Sequence, residues 1–166
     1  MSNDVNPLEY HYKINIKLNY FILSADIALL GWTVVNTEWL PKEQIYIYLI
    51  TTFWILIVLS IISGIIRQLY DGMAFGVNHQ TLLESDLANK IERSSATPAN
   101  FINQQTGEII PSTEFKKYAE RHRVAEKKGN DLYEKFSKKA GFFGNTAILL
   151  LVLSLFLFAL IKISIF

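Results

Sequence analysis

The chain contains no cysteine, which excludes disulfide bonds, thiolate zinc sites and cysteine nucleophiles together. It also lacks a phosphate-binding glycine loop, a nucleophile elbow and a pair of carboxylates placed for acid–base catalysis. Its three histidines have no second ligand at metal-binding spacing, apart from Glu126 one turn after His122. We therefore expect no enzymatic activity, no metal site and no cofactor.

Charge is also absent from two long apolar stretches, residues 45–66 and 142–161, and a third stretch, 18–35, contains Asp26 alone. At 1.5 Å per helical residue, roughly 18 to 22 residues cover the hydrocarbon core of a bilayer, about 30 Å. The sequence predicts an all-α membrane protein with three transmembrane helices. It divides into an arm with a transmembrane hairpin (1–69), a helical insert (70–141) and a terminal transmembrane helix (142–166).

The basic residues are distributed unevenly around these stretches. Residues 67–141, which comprise the insert and Arg67 just before it, carry twelve Lys and Arg, and the arm adds Lys13 and Lys17, whereas the 36–44 loop has Lys42 alone. Under the positive-inside rule this predicts a cytoplasmic N-terminus and insert, and a C-terminus on the outer side. If the protein is bacterial, we expect it in the inner (plasma) membrane. Membrane lipids are then expected to be partners of the three spans.

The sequence of residues 8–20 is compatible with two structures, a strand and a helix. Tyr and Ile alternate there with polar residues, which is the period of a strand, but Asn6, Pro7 and Glu9 form a helix start. We favour a helix that runs into the first span, because a strand would need a sheet partner that the chain scarcely offers.

In the insert, the apolar period of the second span continues to about Arg93 as a helical stripe. Residues 101–111 predict a small β-hairpin that turns at Gly107, and Ser112 can cap a third helix. This helix would pack antiparallel against the second, along a heptad-like seam. The stripe consists of Leu69, Met73, Gly76, Leu83, Leu87 and Ile91, and the seam of Phe115, Tyr118, His122, Ala125, Gly129, Leu132, Phe136 and Phe143.

Asp26 lies near the middle of the first span, where a carboxylate costs several kcal/mol unless it is paired, protonated or hydrated. Either it faces a pore, or it is neutral and hydrogen-bonded to a polar group of another span. The candidates for lining a pore or gating it are Asp26, Ser24, Thr52, Ser60 and Ser154. The same hydroxyl groups would otherwise bond one helix to the next.

Residues 116–139 contain nine basic and four acidic side chains. This surplus is typical either of a solvated helix that follows the positive-inside rule or of a surface that binds an anionic ligand, such as a nucleotide, an oligonucleotide or lipid headgroups. The ligand-binding candidates are Lys116, Lys117, Arg121, Arg123, Lys127 and Lys128.

Two spans in a tight hairpin, a helical cytoplasmic insert and a terminal span together resemble the small transmembrane effectors of bacterial anti-phage defence, namely CBASS-type effectors and the Hailong channel. The resemblance lies in the layout and carries no motif. It implies an oligomeric channel that a nucleotide signal gates from the cytoplasm.

Three spans are too few to enclose a polar path, so a channel requires a homo-oligomer, and we expect four or more subunits. Two alternatives remain at the level of the sequence. One is a membrane-anchored adaptor that recruits a cytosolic protein through the helical insert, and the other is a pore without a ligand.

Overall fold

A computed structural model of the chain describes residues 7–36, 44–95, 101–102, 107 and 109–165. Most of this part of the chain is helical, and it also contains two short strands. In chain order the elements are α1 Pro7–Val35, α2 Gln44–Ser95, β1 Phe101–Ile102, β2 Ile109–Ile110 and α3 Ser112–Ile165. The loop assigned to the outer side lies largely outside the described residues.

Three apolar helices confirm the three predicted spans. Each of α1, α2 and α3 is long and apolar enough to cross a membrane. Only 17% to 33% of the residues in each apolar window are buried inside the chain. The remaining apolar surface is therefore left for lipid or for other chains.

The arm is helical, and α1 begins at Pro7. Proline suits the first position of a helix because its missing N–H would have no intrahelical partner there, and its fixed φ is already helical. The helix favoured for residues 8–20 is therefore confirmed, and the alternation of Tyr and Ile does not produce a strand.

Helices α2 and α3 extend well past the length that a bilayer needs, with 52 and 54 residues. The predicted end of α2 at about Arg93 is confirmed to within two residues, since α2 ends at Ser95. Helix α3 begins at the predicted cap, Ser112, and continues without interruption to Ile165.

The predicted hairpin over 101–111 is described only in part. Strands β1 and β2, of two residues each, pair antiparallel, with Phe101 opposite Ile110. Gly107 has a φ of 70°, a left-handed conformation that glycine adopts without strain. The other residues between the strands lie outside the described part of the chain.

The chain divides into two compact units, which we call the span unit (Met1–Tyr70 with Lys139–Phe166) and the hairpin unit (Asp71–Lys138). The core of the span unit consists of Ile50, Phe53, Ile57 and Ile161. Phe158 packs against this core, with its ring centroid 5.6 Å from that of Phe53. Apolar side chains of α2 and α3 thus hold one end of the span unit together.

The core of the hairpin unit is made of small residues. Ala74, Thr81 and Ala88 are buried on α2 at seven-residue spacing, and Ala119 is buried on α3. A Cβ on Gly129 would collide with the Thr81 side chain, so the two helices are in close contact at that point. Small side chains permit this approach, whereas large ones would hold the helices apart.

The predicted seam of α3 is correct at one heptad position and wrong at the other. Tyr118 and Leu132 are 47% and 44% exposed, while Ala119 is 4% exposed. After Phe115, the next residue of the observed seam is Ala119, four positions on. The predicted seam had Tyr118, three positions on. The prediction therefore selected the more exposed of two neighbouring residues at Tyr118 and at Leu132.

The stripe predicted on α2 exists, but most of it faces outward. Met73, Leu83 and Leu87 are 43% to 52% exposed, and Leu69 is 59% exposed. Since Ala74, Thr81 and Ala88 take the inward positions, the large side chains are directed away from the hairpin core. The antiparallel contact of α2 with α3 in this unit is therefore made by a different face of α2 from the one that the sequence suggested.

Candidate functional site

A line of buried polar residues runs along α1 in the span unit. Asn19, Asp26 and Thr33 are seven residues apart, and each is 1% exposed or less. A spacing of seven residues places side chains on one face of a helix, two turns apart. The face of α1 that packs against the other helices is thus polar at every second turn.

Asp26 is joined to both of the other helices. Ser60 Oγ, on α2, lies 2.7 Å from Asp26 Oδ2 and 2.9 Å from the backbone oxygen of Ala147, on α3. A hydroxyl group has one hydrogen and can fully donate to only one of these two oxygens. Both contacts become good hydrogen bonds if the carboxyl is protonated and donates to Ser60, while Ser60 donates to Ala147.

The other carboxyl oxygen supports a neutral Asp26. Oδ1 is buried and has no hydrogen-bond partner among the described residues. A buried carboxylate with an unpaired oxygen is far more costly than a buried neutral acid. The structure thus shows one contact of Asp26 with another helix, its hydrogen bond with Ser60 on α2.

The polar residues above and below Asp26 on α1 also reach α2. Asn19 Nδ2 donates to the backbone oxygen of Gly64 at 3.1 Å, and Trp54 Nε1 donates to Thr33 Oγ1 at 3.2 Å. Asn19 and Thr33 are not among the site residues predicted from the sequence. Their signal was present as the seven-residue spacing from Asp26.

The remaining candidates for a pore fall into two groups. Ser154 is fully buried, and its hydroxyl donates to the backbone oxygen of Leu151 at 2.7 Å. Ser24 and Thr52 are exposed on the outside of the helices, and Thr52 donates to the backbone oxygen of Tyr48. The structure thus brings Asp26 and Ser60 together and leaves Ser24 and Thr52 facing outward.

In the hairpin unit, five of the six basic candidates are exposed on α3. Arg121 lies over the Tyr118 ring, 5.6 Å from its centroid. Beside it, Lys117, Glu120, Arg121 and Val124 line a shallow open depression. The exposed basic residues are Lys116, Lys117, Arg121, Lys127 and Lys128.

Arg123 differs from the other five, because its guanidinium is bound within the hairpin unit. It donates to both carboxylate oxygens of Glu92, at 3.0 and 2.9 Å, to Glu126 at 2.8 Å and to Asn89 at 2.6 Å. These hydrogen bonds lower the pKa of Glu92 and of Glu126 and raise the pKa of Arg123. Arg123 therefore links α3 to α2.

His122, next to Arg123, forms a second polar link between the helices. Its Nδ1 lies 2.6 Å from Oε2 of Glu84, and both side chains are half-buried. By helical spacing, the acidic residue nearest to His122 is Glu126, one turn along the same helix. Glu84 is distant in the sequence, and no local pattern indicated it.

Comparison with protein families, with curated proteins and with solved structures finds no match to this chain.

Proposed function

We propose that the chain is the subunit of a homo-oligomeric membrane channel, or pore-forming effector, which an anionic ligand gates by binding to the exposed basic residues of α3. The resemblance in layout to small membrane effectors is the reason to place it in bacterial anti-phage defence, with a nucleotide or an oligonucleotide as the ligand. The insert is then cytoplasmic, in agreement with its surplus of Lys and Arg.

The interior of the span unit supports a path between subunits. Asp26, Ser60 and Ser154 are each 0% exposed, so water does not reach the polar centre of a single copy. A path for ions would then lie among several copies, bordered by outward-facing residues. Ser24 and Thr52 are exposed polar residues of this kind, whereas Asp26 would act on gating through the packing of the three helices.

The main support for gating is that α3 is one continuous helix. The exposed basic residues from Lys116 to Lys128 and the third apolar stretch belong to one uninterrupted helix. A ligand that binds the basic residues more tightly in one state of the channel shifts the population toward that state. A continuous helix is a physical route by which such a preference reaches the membrane.

The test is ion flux from liposomes that contain the purified protein. ATP, a cyclic dinucleotide and a short oligonucleotide would be added in turn at the face that carries the insert. We expect one of these anions to change the flux at least tenfold. The triple variant Lys116→Gln, Lys117→Gln and Arg121→Gln should abolish the response and reduce the salt dependence of binding.

A matched control variant is Lys135→Gln with Lys138→Gln, which removes basic charge from α3 outside the candidate set. It should respond to the same anion as the unchanged protein does. Equal responses from the triple variant and the unchanged protein would show that Lys116, Lys117 and Arg121 serve orientation and solubility only.

A membrane-anchored adaptor is a second candidate function. The exposed apolar residues Met73, Leu83 and Leu87 of α2 favour it. Exposed large apolar residues outside a membrane often mark a surface that binds another protein. In that case the liposomes would show no flux under any condition, and the purified protein would bind a cytosolic protein through these residues.

A further inference from the structure

Helix α2 has two faces with opposite character in the hairpin unit. Its inner face carries the small residues Ala74, Thr81 and Ala88, which are buried. Its outer face carries a second line of residues at alternating spacings of three and four. We call this line the outer stripe, and it consists of Met73, Gly76, Gln80, Leu83 and Leu87.

The outer stripe is exposed although most of it is apolar. Met73, Leu83 and Leu87 are 50%, 52% and 43% exposed, and Gly76 and Gln80 are also exposed. Together these three large side chains present roughly 300 Å² of apolar surface, at the lower end of the range for the largest patch on many monomers.

The spacing of the outer stripe is that of a helix packed against another helix. Residues that alternate at three and four positions form the seam of a coiled coil, where each side chain inserts between those of a facing helix. The inner face of α2 already uses one such seam against α3. The outer stripe lies about 120° around α2 from that seam, so a helix that packs on it comes from outside the hairpin.

The charges of the hairpin unit indicate which helix this is. No residue of the outer stripe is charged, so two identical stripes can meet without repulsion between like charges. The exposed face of α3 carries Lys116, Lys117, Arg121, Lys127 and Lys128, and two copies of that face would repel each other. Contact through α2 leaves the basic residues of every copy in solvent.

Two residues of the outer stripe suit a copy of itself in particular. The amide of Gln80 is both a donor and an acceptor, so it can hydrogen-bond to the same amide of a second copy. A polar residue at one position of an apolar seam also fixes the register of the helices. Gly76 has no atom within 4 Å of where its Cβ would lie, which leaves room for a facing side chain.

We infer that the outer stripe is the contact between subunits, and that its partner is the outer stripe of a second copy of this chain. This inference rests on the proposed homo-oligomer and adds the surface through which its copies meet. In the assembly, the small-residue seam holds each hairpin together and the outer stripe joins one hairpin to the next.

The absence of cysteine makes a direct test possible, because each engineered thiol is the only one in the chain. Gln80→Cys, Leu83→Cys and Leu87→Cys are made singly in the full-length protein in membranes, with Val124→Cys on α3 as the control. Val124 is 56% exposed, so it is at least as accessible as the tested leucines. Oxidation by copper phenanthroline then forms disulfide-linked dimers wherever two thiols meet.

We expect at least one stripe position to form dimers at least tenfold faster than Val124→Cys. Equal or slower rates at all three stripe positions, in a protein whose mass shows an oligomer, would overturn the inference and leave the proposed oligomer intact. A stripe thiol that is shielded from a water-soluble maleimide without forming dimers would also overturn it, since lipid or another protein then covers the stripe. A monomeric mass would instead contradict the proposed function itself.

A second pair of variants introduces charge in place of thiols. Leu83→Glu should reduce the oligomeric fraction at least tenfold at a fixed protein concentration, whereas Val124→Glu should leave it unchanged. Equal oligomeric fractions in the two variants would overturn the inference.

Discussion

The hydroxyl of Ser60 lies 2.7 Å from the carboxyl of Asp26, and this contact joins α1 to α2 at a position that is fully buried. The same hydroxyl reaches the backbone of α3 at Ala147. One side chain thus connects all three helices of the span unit. Asp26 is therefore part of the packing of a single copy.

This contact predicts an energetic coupling between Asp26 and Ser60. We expect Ser60→Ala to destabilise the span unit, because it leaves a buried carboxyl oxygen without its partner. In combination with Asp26→Leu, the effect of Ser60→Ala should shrink. The coupling should be about 0.6 kcal/mol, and at most about 1.7 kcal/mol, as for other hydrogen bonds between membrane helices.

Unfolding of the four proteins of this double-mutant cycle in mixed micelles measures the coupling. Thr52→Ala is the control for Ser60→Ala, because Thr52 is exposed and bonds within its own helix. Strictly additive effects of the Asp26 and Ser60 substitutions would show that the contact contributes nothing to stability.

The close contact at Gly129 predicts opposite effects for two glycine substitutions. Gly129→Ala should destabilise the hairpin unit by about 1 to 3 kcal/mol, because the new methyl group would overlap Thr81. Thr81 cannot easily rotate away, since its hydroxyl bonds to the backbone of Val77 at 2.8 Å. Gly72→Ala should stabilise α2 by about 0.5 to 1 kcal/mol, since its Cβ meets nothing.

Hydrogen exchange of the backbone amides of residues 71–138, in the whole protein in detergent, measures both effects. The double variant Gly129→Ala with Thr81→Ala should recover most of the lost protection. If the amides of the Gly129→Ala variant exchange at the same rates as those of the unchanged protein, then α2 and α3 are further apart at Gly129 than in the structure.

The hydrogen bonds of Arg123 predict that acid weakens the hairpin unit. Glu92 and Glu126 have pKa values lowered below 4.5, first through the hydrogen bonds from Arg123. A carboxylate whose pKa is lowered by folding stabilises the fold above its unfolded pKa and loses that contribution as the pH falls through its folded pKa. Protection of amides 71–138 should therefore be constant above pH 4.5 and decline below it.

Glu92→Gln should reduce this decline, because it removes one of the two carboxylates that Arg123 binds. Glu120→Gln, at an exposed position outside these hydrogen bonds, is the matched control and should leave the decline unchanged. An identical pH dependence in the two variants would contradict the role given to Arg123.

The distribution of Lys and Arg predicts the orientation of the chain. A reporter that is active only in the cytoplasm should be active when fused to the N-terminus and inactive when fused to the C-terminus. An active C-terminal fusion would contradict either the number of spans or their orientation.

The sequence predicted the helices well because their signals are local. The lengths of the apolar stretches, Pro7 at the start of α1 and Ser112 at the start of α3 each depend on neighbouring residues. The sequence also narrowed the partners of Asp26 to a few hydroxyl groups, of which Ser60 is the one in contact.

The sequence did not predict which residues meet between helices, because that depends on their relative rotation. Tyr118 and Ala119 are adjacent, and the choice between them turns the contacting face of α3 by about 100°. Apolarity favoured Tyr118, whereas the helices pack closely through small residues, and Ala119 is the buried one of the two. The pairs His122 with Glu84 and Arg123 with Glu92 follow from this packing, and no spacing along the chain reveals them.

The mass of the protein in its membrane tests the central claim most directly. Native mass spectrometry of the unmodified protein, extracted in lipid nanodiscs, gives the number of copies of the 19.0 kDa chain. The account predicts a single dominant species of four or more copies. A dominant species of one copy, at protein concentrations where the liposome flux is measured, would contradict the proposal of a homo-oligomeric channel.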